Sequence, residues 1–271
     1  MNTTVADVVS GLDMWYPRDW AAEWDRVGVV CGRGGRTVER VFFAVDCVPE
    51  TVAEARDADA QLMVVHHPLL LRGVSTVSPD TYKGDIVHTL IESGIGLYVA
   101  HTNADVALPG VSDALAKTLG LTGELRALSP IDDGPRGVGR VGRLPAPVSL
   151  AEFAGLAVRR LPATAWGVRA SGDPDRVVST VAVSGGAGDA YLSHAAAAGV
   201  DAFLTADLRH HPASEHASQR GPALVDAAHW ATERPWLDVV AAQVRERFGV
   251  DTVVSDRNTD PWTVHASSTR Q

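Results

Sequence analysis

Lysine is nearly missing from this chain: of 271 residues only Lys83 and Lys117 are lysine, and the formal net charge is −9. A polyanion needs a basic face to neutralise its phosphates, so nucleic acid is excluded as the main partner. A small anion held by one or two arginines is not. Cysteine is equally scarce, and Cys31 and Cys47 give no disulfide framework. They read as small buried apolar residues. No apolar run reaches the length of a membrane span, and MNTTVADVVSGLDMW lacks the charged-then-apolar order of a signal peptide. The expected setting is a reducing cytoplasm, with no membrane partner. Against these absences stand 45% hydrophobic and 21% charged residues, the balance of an ordinary globular protein.

Alternating strand and helix patterns run through the first half. Helical spacing covers Val5 to Leu12, strands are predicted at Val27–Cys31 and Val41–Cys47, and a helix from Pro49 to Ala58. Strand Leu62–Val65 then delivers His66-His67-Pro68, because proline cannot continue a sheet ladder. A helix near Lys83–Glu92 and strand Leu97–Ala100 lead to His101, and a helix over Val111–Leu119 follows. From Gly120 to Pro147 the glycine- and proline-rich texture reads as a crossover between domains. Beyond it come helix Leu150–Arg160, strands Ala165–Ala170 and Val177–Val183, a loop SGGAGD at 184–189, helix Tyr191–Ala198 and strand Ala202–Thr205. A second His-His-Pro, His210-His211-Pro212, comes shortly after that last strand. Recurrence of the motif in a similar context indicates an internal duplication. The expected fold is α/β and largely parallel: two similar α/β domains, residues 1–125 completed by 226–271, and 126–225, with a metal site in the cleft between them.

Four patterns matter for chemistry: the loop Asp207…His210-His211, and three that pool as metal donors, His66-His67, His101-x-x-x-Asp105 and His229-x-x-x-Glu233. Residues at i and i+4 share one face if the segment is helical, although Pro235 leaves the conformation of 229–233 open. Pooled, the three donor patterns offer four imidazoles and two carboxylates. Nitrogen and oxygen donors without thiolate suit Zn, Fe, Mn, Co or Ni rather than Mg or Ca. Six donors exceed one tetrahedral zinc and suffice for two divalent transition-metal ions sharing a water, whose pKa they would lower. SGGAGD lacks the Lys-Ser/Thr ending of a phosphate loop and reads as a tight turn.

These motifs together resemble the Nif-three-like family, named for an NGG-interacting factor and also described as dinuclear metal centre hexameric proteins or type 2 homologues of GTP cyclohydrolase I. The resemblance rests on EWDRVGVVCG, FFAVDCVPETVAEA, VVHHPLL, HTNAD, TADLRHH and DAAHWATERP. Arg26, Ala206 and Ala228 stand where the family more often has asparagine, glycine and glycine, and none is a ligand position. The resemblance implies two α/β domains in a toroidal homohexamer. It implies metal ligation by His66, His67, His101, Asp105, His229 and Glu233, with His210 and His211 near the metals as proton-transfer or substrate-facing residues. It implies a metal-dependent hydrolase acting on GTP, another nucleotide or a related small molecule, with Arg209 as a phosphate contact. The alternative is a ring that stores, senses or delivers metal, or serves as a regulatory scaffold, without turnover.

Overall fold

The structure is a computed structural model that describes residues 2–219 and 221–266. In chain order its elements are α1 (Val5–Trp15), β1 (Gly28–Cys31), β2 (Arg40–Ala44), α2 (Pro49–Asp57), β3 (Leu62–Val65), α3 (Tyr82–Glu92), β4 (Gly96–Val99), α4 (Thr102–Val106) and α5 (Val111–Thr118). They continue as β5 (Thr122–Pro130), β6 (Gly137–Ser149), α6 (Leu150–Arg160), β7 (Val168–Ser171), β8 (Val177–Ala187), α7 (Leu192–Ala198), β9 (Ala202–Ala206), α8 (His210–Ser218), β10 (Ala223–Ala227), α9 (His229–Phe248) and β11 (Asp251–Val254). The chain forms two compact units, Met1–Ala107 with Leu237–Thr259, and Leu108–Trp236 with Asp260–Gln271. The sequence reading kept α5 with the first half. In the structure α5 packs on β6 and β8, so it falls with the second, and the return to the first unit comes inside α9.

The first unit is a five-stranded sheet in the order β1-β4-β3-β2-β11. β11, β2, β3 and β4 run parallel, and β1 is antiparallel at the edge. Every residue of β3 and β4 is buried, the mark of a sheet covered on both faces. One face packs Phe42, Met63, Val65, Leu97 and Val99 against Val52 and Ala55 of α2 and Ile86 and Leu90 of α3. The parallel strands all end toward the same edge, where β3 delivers His66 and β4 delivers His101.

The second unit is a six-stranded sheet in the order β5-β6-β8-β9-β10-β7. Only β8, β9 and β10 are parallel; β5, β6 and β7 join antiparallel. The first sheet is thus largely parallel, as the alternation there predicts, and the second is mixed. The glycine-rich crossover turns out to be the antiparallel pair β5–β6. Its glycines serve close strand approach: Gly139 has φ +70°, and a Cβ there would lie 2.9 Å from both Leu128 and the Val183 carbonyl. Pro145 and Pro147 fall in the register shift between Arg143 and Val148, where the ladder needs no donor. Of SGGAGD, read as a loop, Ser184 to Ala187 extend β8, with a further register shift before Ala187.

The two sheets share a plan of three parallel strands with an antiparallel strand beside the third: β2-β3-β4 with β1, and β8-β9-β10 with β7. Register then says which residues correspond. Val65 pairs with Val99 at the end of β3–β4, and Ala206 with Ala227 at the end of β9–β10. Counting on, His101 corresponds to His229, and His66 corresponds to Asp207. The two His-His-Pro motifs are thus not equivalent. His66 and His67 end a strand, whereas His210 and His211 open helix α8.

The second unit contains a buried ion pair. The Arg140 guanidinium donates to both Asp113 oxygens at 2.7 Å and to the carbonyls of Gly137 and Gly139 at 2.7 and 2.8 Å. Removing one partner from such a pair leaves a buried charge uncompensated. Arg140→Met should lower the unfolding free energy by about 3–5 kcal/mol, and adding Asp113→Leu should recover most of it. Urea unfolding followed by circular dichroism checks this; equal stability of Arg140→Met and wild type would contradict it.

Candidate metal centre

In the first unit the sequence motifs converge. His66, His67 and His101 each offer a ring nitrogen, and the three nitrogens lie within 4.8 Å of one another. Asp105 joins them, with a carboxylate oxygen 3.8 Å from His66 Nε2. His101 stands just before α4, whose first turn closes through the Asp105 N–H donating to the His101 carbonyl at 3.1 Å. One helical turn thus brings the histidine and the acid to the same side.

Which nitrogen is offered follows from what the other one does. His66 Nδ1 lies 2.9 Å from the Ala100 carbonyl, His67 Nδ1 2.7 Å from Asp46, and His101 Nδ1 2.9 Å from Asp25. An oxygen acceptor requires the proton on Nδ1, and Nε2 is then the lone-pair nitrogen. Metal-binding histidines are held by this kind of contact. Asp25 is itself tightly held, accepting from the Thr102 N–H at 3.0 Å, the Thr102 hydroxyl at 2.5 Å and the Arg26 N–H at 2.7 Å. Burial alone would raise its pKa, but the hydrogen bonds from His101 and Thr102 outweigh it and the pKa is lowered. Asp46 also accepts from the Thr259 hydroxyl.

In the second unit His229 and Glu233 occupy the first turns of α9, with His229 Nε2 2.9 Å from the Glu233 carboxylate. Pro235 lies inside the helix rather than before it, so the i, i+4 geometry left open by the sequence is present. His229 Nδ1 is 2.7 Å from Asp207, which sits at φ +54°. Burial opposes charge on this ring, but the Glu233 and Asp207 carboxylates prevail and push its pKa from 6.5 up to about 11. A proton therefore stands between Nε2 and Glu233, where a cation is electrostatically welcome.

Gly186 shapes this side of the site. At φ +65°, it lies so close to the pair that a Cβ would strike Glu233 Oε1 and sit 3.1 Å from His229 Nε2. Its N–H donates to the Thr232 hydroxyl and its carbonyl accepts from the Thr205 hydroxyl, each at 2.9 Å. The backbone is pinned where only glycine leaves the carboxylate room. A cavity of about 500 Å³ opens beside Asp207, lined by Ala187, Asp189, Ala190, Arg209 and Pro212. Arg209 is ion-paired with Asp189 on that wall.

The thiols do not compete as ligands. Burial, with the neighbouring Cys31 thiol and Asp46, pushes Cys47 up to about 12, and burial raises Cys31 too. His210 and His211 are exposed at the start of α8 and meet edge to face, with ring centroids 5.2 Å apart. The donors fit divalent ions that favour imidazole and carboxylate. Asp25, Asp46 and Gly186 are not read from the sequence as site residues; Asp207, singled out there with the His210-His211 loop, holds His229 instead.

The Duf34/NIF3 (NGG1p interacting factor 3) family matches residues 3–261. A Streptomyces coelicolor protein named GTP cyclohydrolase 1 type 2 homolog is 54% identical over 272 residues, covering 97% of this chain and 95% of its own. A Mycobacterium tuberculosis protein of the same name is 36% identical over 370 residues, covering 97% of each. Among solved structures, a Staphylococcus aureus hypothetical protein aligns with a TM-score of 0.89 at 27% identity, over 98% of this chain and 100% of its own. A Bacillus cereus protein related to NIF3 shares the fold, with a TM-score of 0.90 at 23% identity over 98% and 100%.

The raised pKa of His229 has a signed consequence for the metal-free protein. Its stabilising contribution is complete below the ordinary value of 6.5 and is lost as pH rises toward about 11. Histidine NMR of metal-free protein should show His229 still charged at pH 9, with Asp207→Asn lowering the midpoint. A neutral His229 at pH 8 would contradict the assignment.

Proposed function

From a chain that belongs to the DUF34/NIF3 family, we propose a dinuclear metal-binding protein that acts as a metal-dependent hydrolase on a nucleotide or related small molecule. The proposed ligands are His66, His67, His101, Asp105, His229 and Glu233, and the proposed ions two divalent transition metals per subunit, from Zn, Fe, Mn, Co and Ni. The observation that carries this is the set of four imidazoles whose Nδ1 atoms are engaged by Ala100, Asp46, Asp25 and Asp207, which turns each Nε2 away from that partner. Such ions, when bound, supply a nucleophile from water at neutral pH and polarise the group it attacks.

The chain's own residues do the rest. Asp25, Asp46 and Asp207 hold the rings in place and raise their basicity. Asp105 and Glu233 contribute negative charge, and Gly186 keeps the approach to Glu233 open. His210 and His211, exposed to solvent, are proposed to carry protons to and from water. The nucleotide substrate class is supported by the relatives' name, GTP cyclohydrolase 1 type 2 homolog. The assembly we propose is a cytoplasmic ring-shaped homohexamer. No helix among the described residues is long and apolar enough to cross a membrane. A metal-handling ring would use the same donors, and differs in releasing its ions readily.

His67→Ala and Glu233→Ala should each sharply lower bound metal. Asp46→Ala, which removes only a ring's hydrogen-bond partner, should weaken metal affinity about 10–100-fold. Elemental analysis and competition with a chelator read both. Turnover of GTP, other nucleotides, phosphoesters or cyclic amides that disappears in Glu233→Ala supports the hydrolase. Full metal loading with fast exchange and no turnover would replace it with the metal-handling reading.

A further inference from the structure

Trp24 is 59% exposed, although it belongs to a segment that is tied down at several points. It lies in a turn closed by the Asp25 N–H donating to the Ala22 carbonyl at 2.9 Å. The Ala22 N–H donates to the Thr102 hydroxyl at 2.9 Å, and Thr102 donates in turn to Asp25. Arg26 reaches back to the carbonyls of Asp25 and Glu23 at 2.5 and 3.4 Å. The same Asp25 carboxylate that orients His101 therefore holds the turn that presents Trp24. The indole meets the His101 ring edge to face, with centroids 5.9 Å apart.

A large apolar side chain gains nothing for stability by remaining in water, and a fixed one has also lost its rotamer freedom. An indole beside an imidazole that offers its Nε2 offers a planar π surface next to the donor cluster. Planar heterocycles stack on aromatic side chains whatever their hydrogen-bonding pattern. We propose that Trp24 is a stacking platform that binds a heteroaromatic ring of the substrate beside His101. This rests on the metal-centre reading for where the substrate lies, and adds the ring that the site selects. Because Asp25 serves both residues, the platform and the ligand keep a fixed spacing. Recognition then reads the flat ring, and an acyclic or purely sugar-based molecule loses this contact.

The test is equilibrium binding to metal-loaded protein of guanosine, adenosine, cytidine and pterin, with ribose 5-phosphate as the ringless comparison. Trp24→Leu should weaken heteroaromatic binding about tenfold. Trp24→Phe should retain most of it, and ribose 5-phosphate should bind all three proteins alike. Ring binding should quench tryptophan emission in wild type, and that quenching should shrink in Trp24→Phe although affinity persists. Equal guanosine affinity in wild type and Trp24→Leu overturns the proposal, as does a wild type that binds none of the four rings. A changed elution volume for Trp24→Leu also overturns it, because Trp24 would then be covered by another copy of the chain. Loss of metal from Trp24→Leu overturns it too, showing that the indole supports His101 instead. A wild type that binds no metal but binds these rings through Trp24 would sink the metal reading and leave the platform standing.

Discussion

An imidazole can give a metal only one nitrogen, and the other must be told where its proton belongs. In this protein that instruction is built into the sheet ends. The Ala100 carbonyl and the carboxylates of Asp46, Asp25 and Asp207 each face an Nδ1. Ala100 and Asp25 are buried, where an unmet acceptor is costly, and together the four acceptors orient four rings before any cation arrives. The lowered pKa of Asp25 and the raised pKa of His229 are two sides of the same arrangement. In each case burial opposes charge and a designed partner overcomes it.

The two units solve this with one topology and different residues. Each has a histidine two positions beyond its third parallel strand, and an acid four residues later in a helical turn. Where the first unit has His66 at the end of the middle strand, the second has Asp207, which grips His229. Thus one copy ends that strand in a proposed ligand and the other in the support of one. In the second unit, glycine at 186 brings backbone against the His229–Glu233 pair, with Thr205 and Thr232 holding it there.

Much of this was legible in local pattern. Leu62–Val65 and Leu150–Arg160 form the elements their apolar periodicity predicts, because burial on both faces or one stripe imposes that spacing. The six candidate donors stand out in the sequence because histidine beside histidine, or four before an acid, is rarely needed for packing. The β5–β6 pair was hidden because its glycines and prolines, which read as coil, mark tight strand approach and a register shift. The orienting carboxylates were hidden for a different reason. Asp25 lies 76 residues from His101, Asp46 21 from His67 and Asp207 22 from His229, so only the fold pairs them. The repeat was seen through its His-His-Pro motifs, whereas strand register places the correspondence at His101 and His229.

X-ray absorption at the metal edge of reconstituted protein tests the central claim most directly. The account predicts a shell of nitrogen and oxygen alone, with the outer scattering of imidazole rings and a second metal at about 3.5–4 Å. A sulfur shell, or a spectrum without imidazole, would contradict it.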